Sequence, residues 1–303
     1  MENIFGKNIR YYWMGVAITL IILCHIQCTC IWDGIMYKVL KFLFKNGDCG
    51  VEIFLLISVY GLCYSYTSNS LKTFYKRRLQ RIFPLYLLFL FIALFYYNPN
   101  NIITGFIKQI TGYYLFAGNS FNEWYIPALI WIYVFFPLLF KLVKFLYEYN
   151  NLYCYILILV LVFSYWITSD YLVLYFARRL YIPIIAIYIY LSKQKCKNYL
   201  PILIFTASLQ LFTPLYWGNY LFLPLLLYSI DQIKHQNFLN STFVFLGKYS
   251  LEIYLGQTVG IIYYCSSYHY DGRLKLICGL LITICISFIL HYFQKGFYKL
   301  FKI

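Results

Sequence analysis

Long apolar runs alternate with short polar joints along the whole chain. Ten runs are candidate membrane spans: 11–31, 50–66, 83–97, 124–146, 152–168, 180–191, 199–216, 219–230, 251–265 and 276–293. A span needs about 20 apolar residues, fewer where neighbouring helices shield it. The runs at 180–191 and 219–230 are the shortest. The longest connections, 32–49, 98–123 and 231–250, are amphipathic enough to hold short interfacial helices. No repeat, low-complexity stretch or soluble domain interrupts the series. The pattern therefore predicts one all-α, polytopic, membrane-embedded domain over residues 1–303. Lys7 and Arg10 precede the first run as in a signal sequence. That run is too long for a signal core and lacks a small-residue cleavage site, so it reads as a retained signal-anchor helix.

Composition strengthens this picture. Of 303 residues, 62% are hydrophobic and 12% charged, against roughly 45–50% and about 25% in soluble domains. A soluble fold could neither bury so much apolar surface nor cover itself with so few charges, which excludes a soluble enzyme, a disordered chain and a disulfide scaffold. The net charge of +15 is read as topology, with no nucleic-acid partner implied. With the N-terminus cytoplasmic, 17 of the 25 Lys and Arg fall on the inner side and 8 on the outer, which places both termini inside. Arg178 and Arg179 are the clearest exceptions. The ten Cys are scattered without a CxxC pair or Cys/His ligand spacing, so no metal site is expected.

Ionisable groups inside spans are costly and are candidates for function. His25 lies about two-thirds through the first run, in ITLIILCHIQC. It reads either as a helix-to-helix hydrogen-bond partner or as a general base. Glu52, in GVEIFLLIS, opens the second run from the outer side. If the two met across antiparallel helices, the carboxylate would fix the imidazole tautomer and raise its basicity; otherwise Glu52 meets headgroups. In FYKRRLQRIFPLY, Arg78 and Arg81 are three apart and share a helix face that suits phosphate or pyrophosphate. The competing reading is a positive-inside cluster on anionic lipid. Glu123 and Trp124 mark the outer start of the fourth run, where Trp is also expected in the aromatic belt. In FLGKYSLEIYLGQ, Ser250 is a candidate N-cap, Glu252 falls in the first turn and Gln257 lies two turns deeper as a buried hydrogen-bond partner.

Taken in order, these segments resemble the membrane-bound acyltransferase family called acyltransferase 3. GVAITLIILCHI is similar to its first helix, GVEIFLLISVYGLCYSY to its second, and YKRRLQRIFPLYLL to its RxxR-then-Pro segment. NEWYIPALIWIYVFFPLL resembles its Trp-Phe-Leu helix, ARRLYIPIIAIYIYL its Arg-x-Pro helix, and LGKYSLEIYLGQ its late signature. There are departures. The family has an Arg eleven residues before the first-helix His, whereas this chain has Met14 there and Arg10 as the nearest Arg. Eleven helical residues return to within about 20° of one face, fifteen to about 60°. The late signature commonly ends in His, here Gln257, and Val59-Tyr60-Gly61 replaces the usual Gly-Phe after Ser58.

The resemblance implies an O-acyltransferase of the bacterial inner membrane, acting on cell-surface glycans with acetyl-CoA or another acyl-CoA as donor. The donor's phosphates would meet Arg78 and Arg81, with Arg10 within reach. Fourteen or fifteen helical residues, roughly 21–23 Å, separate the inner edge from His25, about the length of a pantetheine arm. His25 would act as general base, oriented by Glu52, or carry the acyl group itself. Glu123, Trp124, Arg179 and Gln257 would contact the glycan or glycolipid acceptor. A polysaccharide polymerase or flippase, and a non-catalytic relative, are the alternatives; a passive channel lacks a repeated pore-lining pattern.

Overall fold

The computed structural model describes residues 7–29, 47–97, 102–113, 124–164, 179–194, 237–265 and 272–301. They form helices joined by short turns, with no strand among the described residues. The α-helices are α1 (Lys7–Thr29), α2 (Cys49–Ser68), α3 (Leu71–Tyr97), α4 (Ile102–Ile110) and α5 (Tyr125–Tyr149). They continue as α6 (Leu152–Ser164), α7 (Tyr181–Gln194), α8 (Asn237–Lys248), α9 (Ser250–Gln257) and α10 (Gly272–Leu300). A π-helix, Thr258–Tyr264, follows α9 directly. The expected spans at 199–216 and 219–230 lie outside the described residues, as does most of the 32–49 connection.

Five helices contain stretches long and apolar enough to cross a membrane: Ile9–Ile26, Cys49–Ser68, Leu71–Phe95, Tyr125–Tyr149 and Leu274–Leu300. Leu152–Leu161 and Tyr181–Lys193 are shorter apolar helices. Leu138, Leu142 and Phe145 on α5, and Ile277, Leu281, Ile284 and Phe288 on α10, are exposed. Apolar side chains facing outward in such numbers require lipid, not water, around them. The chain is a multi-pass helical membrane protein.

The third apolar run was expected to begin at 83, but α3 starts at Leu71, within the basic segment. Charge ends an apolar run without ending a helix, since Lys, Arg, Gln and Leu are good helix formers. Ser70 caps the start, its hydroxyl accepting from the Thr73 amide at 3.4 Å. The basic turns and the apolar turns are therefore one rod, and each arginine's direction is set by helix phase. The expected cap at Ser250 is replaced: Tyr249 holds the N-cap position with no side-chain cap bond, and Ser250 is already helical. A single residue joins α8 to α9, so the backbone turns one position earlier than the Ser suggests.

The chain divides into two compact units, Met1–Phe54 with Ile204–Ile303, and Leu55–Leu203. In the first, α1 packs antiparallel to α8 at a glycine crossing. A methyl on Gly15 would strike the Phe243 carbonyl, and one on Gly247 the Tyr11 carbonyl. The α9/π segment packs on α10 in the same way, with Gly256 against Thr283 and Ser287, and Gly260 against Gly279 and Thr283. Small residues four apart bring the backbones close, as membrane helices commonly do. Ser287 extends the seam: its hydroxyl donates to the Thr283 carbonyl of its own helix at 2.6 Å and lies 3.3 Å from the Glu252 carbonyl. Away from that seam, Ile261 and Cys265 pack with Ile26 of α1.

In the second unit, α5 packs with α6 and α7, and α3 with α4 and α5. Helices α5 and α7 both open on Tyr-Ile-Pro, Tyr125 to Pro127 and Tyr181 to Pro183. Proline is harmless there because first-turn amides have no intrahelical acceptor. In the turn that Pro137 opens, the Val134 carbonyl accepts the Tyr75 hydroxyl at 2.9 Å, pinning α3 to α5. Of the two expected connection helices that fall on described residues, α4 is amphipathic, burying Gly105 and Gln109 and exposing Ile103 and Ile107. The other, α8, lies along α1.

Candidate active site

His25 stands near the end of α1 and is partly buried. The residue after it, Ile26, packs against Ile261 and Cys265, with Ile22 at the cluster's edge. That contact lays α1 along the π-helix. Gln257, one turn before Ile261, then meets His25, with Nδ1 of His25 2.7 Å from Oε1 of Gln257. Gln257 and Thr258 are both fully buried. Nε2 of Gln257 donates to Oγ1 of Thr258 at 3.5 Å, and that hydroxyl donates to the Tyr254 carbonyl at 3.1 Å. A neutral amide on one ring nitrogen orients the imidazole without adding charge. With Nδ1 donating to that oxygen, Nε2 is the ring nitrogen that keeps its lone pair in the neutral imidazole.

Glu52 was expected to be that orienting group. It sits in the first turn of α2 and is 1% exposed, so it does not lie among headgroups. A Cβ on Gly47 would meet the Leu20 carbonyl, and one on Gly50 the Ala17 carbonyl. These two contacts set an antiparallel register in which Glu52 is level with Gly15. Ten residues separate that level from His25, roughly 15 Å. The start of α2 thus seats against the middle of α1, and Glu52 is carried away from the imidazole that Gln257 reaches.

Arg10 lies on α1, partly buried, with its guanidinium 5.2 Å from the Tyr11 ring. On α3, helix phase separates the basic residues. Lys72, Lys76 and Arg77 are exposed, whereas Arg78 and Arg81 are partly buried. The Arg78 guanidinium lies 5.9 Å from the Phe74 ring and 6.0 Å from the Tyr133 ring. Tyr133 of α5 is within electrostatic reach of both Arg78 and Arg81. Tyr125, about two turns earlier on α5, interacts with Arg81 and is hydrogen-bonded to Ser58. The two arginines therefore point into the α3–α5 packing, while their basic neighbours point out. Two guanidinium groups beside aromatic hydroxyls can hold an anionic oxygen cluster.

Trp124 and Arg179, taken from sequence as acceptor contacts, are brought together: the Arg179 guanidinium lies 5.0 Å from the Trp124 ring. Arg179 is 2% exposed. Glu123 lies outside the described residues. Sequence reasoning missed Tyr133 and Thr258. Tyr133 was hidden among many tyrosines, and its only signal was its place on the helix opened by Trp124. Thr258 follows Gln257 directly but looks like any small polar residue in an apolar run. Among the described residues no group of three or more His, Cys, Asp or Glu could hold a metal ion.

A family model described as an acyltransferase domain matches residues 13–292, running through both units. No curated protein and no solved structure matches the chain.

Proposed function

The chain belongs to the acyltransferase 3 family of membrane acyltransferases, and from that premise we propose its donor, acceptor and working residues. It moves an acyl group, acetyl by default, from acetyl-CoA or another acyl-CoA to a hydroxyl of a cell-surface polysaccharide or glycolipid. It works in the bacterial inner membrane. The observation that carries the reading is the hydrogen bond from His25 to Gln257. An ionisable ring held by a neutral buried partner inside an apolar helix has the attributes of a general base.

In this proposal the acceptor hydroxyl gives its proton to His25 as its oxygen attacks the thioester carbonyl. The carbon–sulfur bond breaks, and the CoA thiolate takes the proton from the imidazolium. No covalent acyl-histidine is required, and the ring ends as it began. Arg78 and Arg81 hold the donor's phosphates, which the inward phase of both side chains supports. Tyr133 offers a hydroxyl beside them. Trp124, its ring in cation–π contact with Arg179, contacts the acceptor.

The test is acylation of the host's surface glycan, read by mass spectrometry, with His25→Ala in the full chain. Loss of the modification at normal protein level is expected. Unchanged modification overturns the base assignment. Thermal stabilisation of the purified protein by acetyl-CoA checks the donor separately.

A further inference from the structure

We infer that Thr258 decides which nitrogen of His25 carries the hydrogen, acting through the side-chain amide of Gln257. It is a positioning residue, and its bearing on catalysis rests on the reading of His25 as base.

The chain of donors and acceptors has one consistent direction. A backbone carbonyl only accepts, so the Thr258 hydroxyl must donate to Tyr254 at 3.1 Å. A hydroxyl has a single hydrogen, and that one is committed. Its oxygen can then only accept from Gln257. The group that meets it at 3.5 Å must be the amide nitrogen. With the nitrogen so directed, the amide oxygen faces the ring, 2.7 Å from Nδ1 of His25. An oxygen there accepts, so Nδ1 is the protonated nitrogen of the neutral ring and Nε2 keeps its lone pair. Flipping the amide would set its oxygen against the hydroxyl's lone pairs and its NH2 against the ring.

Both relay residues are fully buried, so bulk water is kept from exchanging with either bond. The position also fits the backbone. Gln257 ends α9 and Thr258 opens the π-helix, a form that often marks functional sites inside longer helices. The glycines at 256 and 260 take the α10 side, leaving Gln257 and Ile261 to α1. Tautomer control by a hydroxyl thus rides on the same turn that docks α1.

The deciding experiment compares Thr258→Val, which keeps the shape and loses the hydroxyl, with Thr258→Ser, which keeps the hydroxyl. Full-length protein is labelled with 15N in its histidines, and the His25 signals are identified by their absence in His25→Ala. In the parent and in Thr258→Ser, Nδ1 is expected to resonate as a protonated nitrogen and Nε2 as an unprotonated one. In Thr258→Val the two tautomers are expected to mix. Acyl transfer should fall about tenfold or more in kcat for Thr258→Val, with the donor KM unchanged, the size seen when orienting partners are removed. Thr258→Ser should restore it. A parent ring protonated on Nε2, or Thr258→Val with parental ring signals, overturns the inference. The ring signals are read without turnover, so they answer this question even where His25→Ala disproves the base reading.

Discussion

His25 and Gln257 are 232 residues apart in the chain and 2.7 Å apart in the fold. The bond ties the first helix to the late signature segment and gives the imidazole a neutral partner. A neutral partner orients the ring but adds little to its affinity for a proton. Exchanging the amide for a carboxylate should therefore change the pH dependence of the reaction, not only its rate. In Gln257→Glu, a negative charge beside the ring favours the imidazolium form. A general base must be unprotonated, so the acid limb of the kcat/KM profile should move to higher pH, by about one unit. Above that limb the rate should recover. Gln257→Leu should instead lose rate at every pH. It should also melt earlier, since a buried ring N–H left without its acceptor costs about 1–3 kcal/mol.

Glu52 provides the counterpart. It is buried like Gln257 but lies at the level of Gly15, about ten residues of α1 from the imidazole. At roughly 15 Å its charge is too distant to set the ring's protonation. Glu52→Gln should leave the acid limb where it is, whatever it does to melting temperature. A limb displaced as far as in Gln257→Glu would place the carboxylate beside His25 and refute the register drawn from Gly47 and Gly50.

Arg77 and Arg78 are chain neighbours with opposite surroundings, one exposed and the other beside the rings of Phe74 and Tyr133. If Arg78 binds donor phosphate, Arg78→Gln should raise the KM for acetyl-CoA by about tenfold or more, as expected for a lost charge-assisted hydrogen bond. Arg77→Gln should leave it within about twofold, because an exposed charge is screened by solvent and salt. Equal effects from both substitutions would return the whole segment to lipid contact. Comparing the two in one membrane preparation holds lipid composition constant.

How far the sequence could be read differs from feature to feature. Hydropathy located α1, α2 and α5 within four residues at each end, and α10 within four at its start and seven at its end, because apolar length is the property a bilayer selects. It set the start of α3 too late, because a helix outlasts its apolar stretch wherever the residues remain helix formers. That Arg78 and Arg81 share a face was legible from their spacing of three; that the face turns inward was not. The partner of His25 was not. Glu52 and Gln257 were both named as site residues, but choosing between them needs the sliding register between helices. That register is decided here by Gly47 and Gly50 against α1 and by Gly256 and Gly260 against α10. Glycine contacts leave no period in a hydropathy trace. Nor does the π-helix, which has the composition of the α-helix it continues.

Those same glycines make a prediction about stability that needs no knowledge of the substrate. At Gly260 an added Cβ would collide with the Gly279 carbonyl and with Thr283, both parts of α10 that cannot swing aside as a flexible side-chain tip can. Gly260→Ala should therefore force α10 away and cost about 1–3 kcal/mol, the usual range for overpacking. Gly61, in the middle of α2, has nothing within 4 Å of where a Cβ would sit. Alanine there relieves the backbone-entropy cost of a helical glycine, so Gly61→Ala should be neutral or stabilising by up to about 1 kcal/mol. Thermal melting of both variants in the same detergent reads the contrast directly. A Gly260→Ala protein that melts with the parent would mean that α9 and α10 are not packed backbone to backbone. The close approach of Gly256 to Thr283 and Ser287 would then have no basis either.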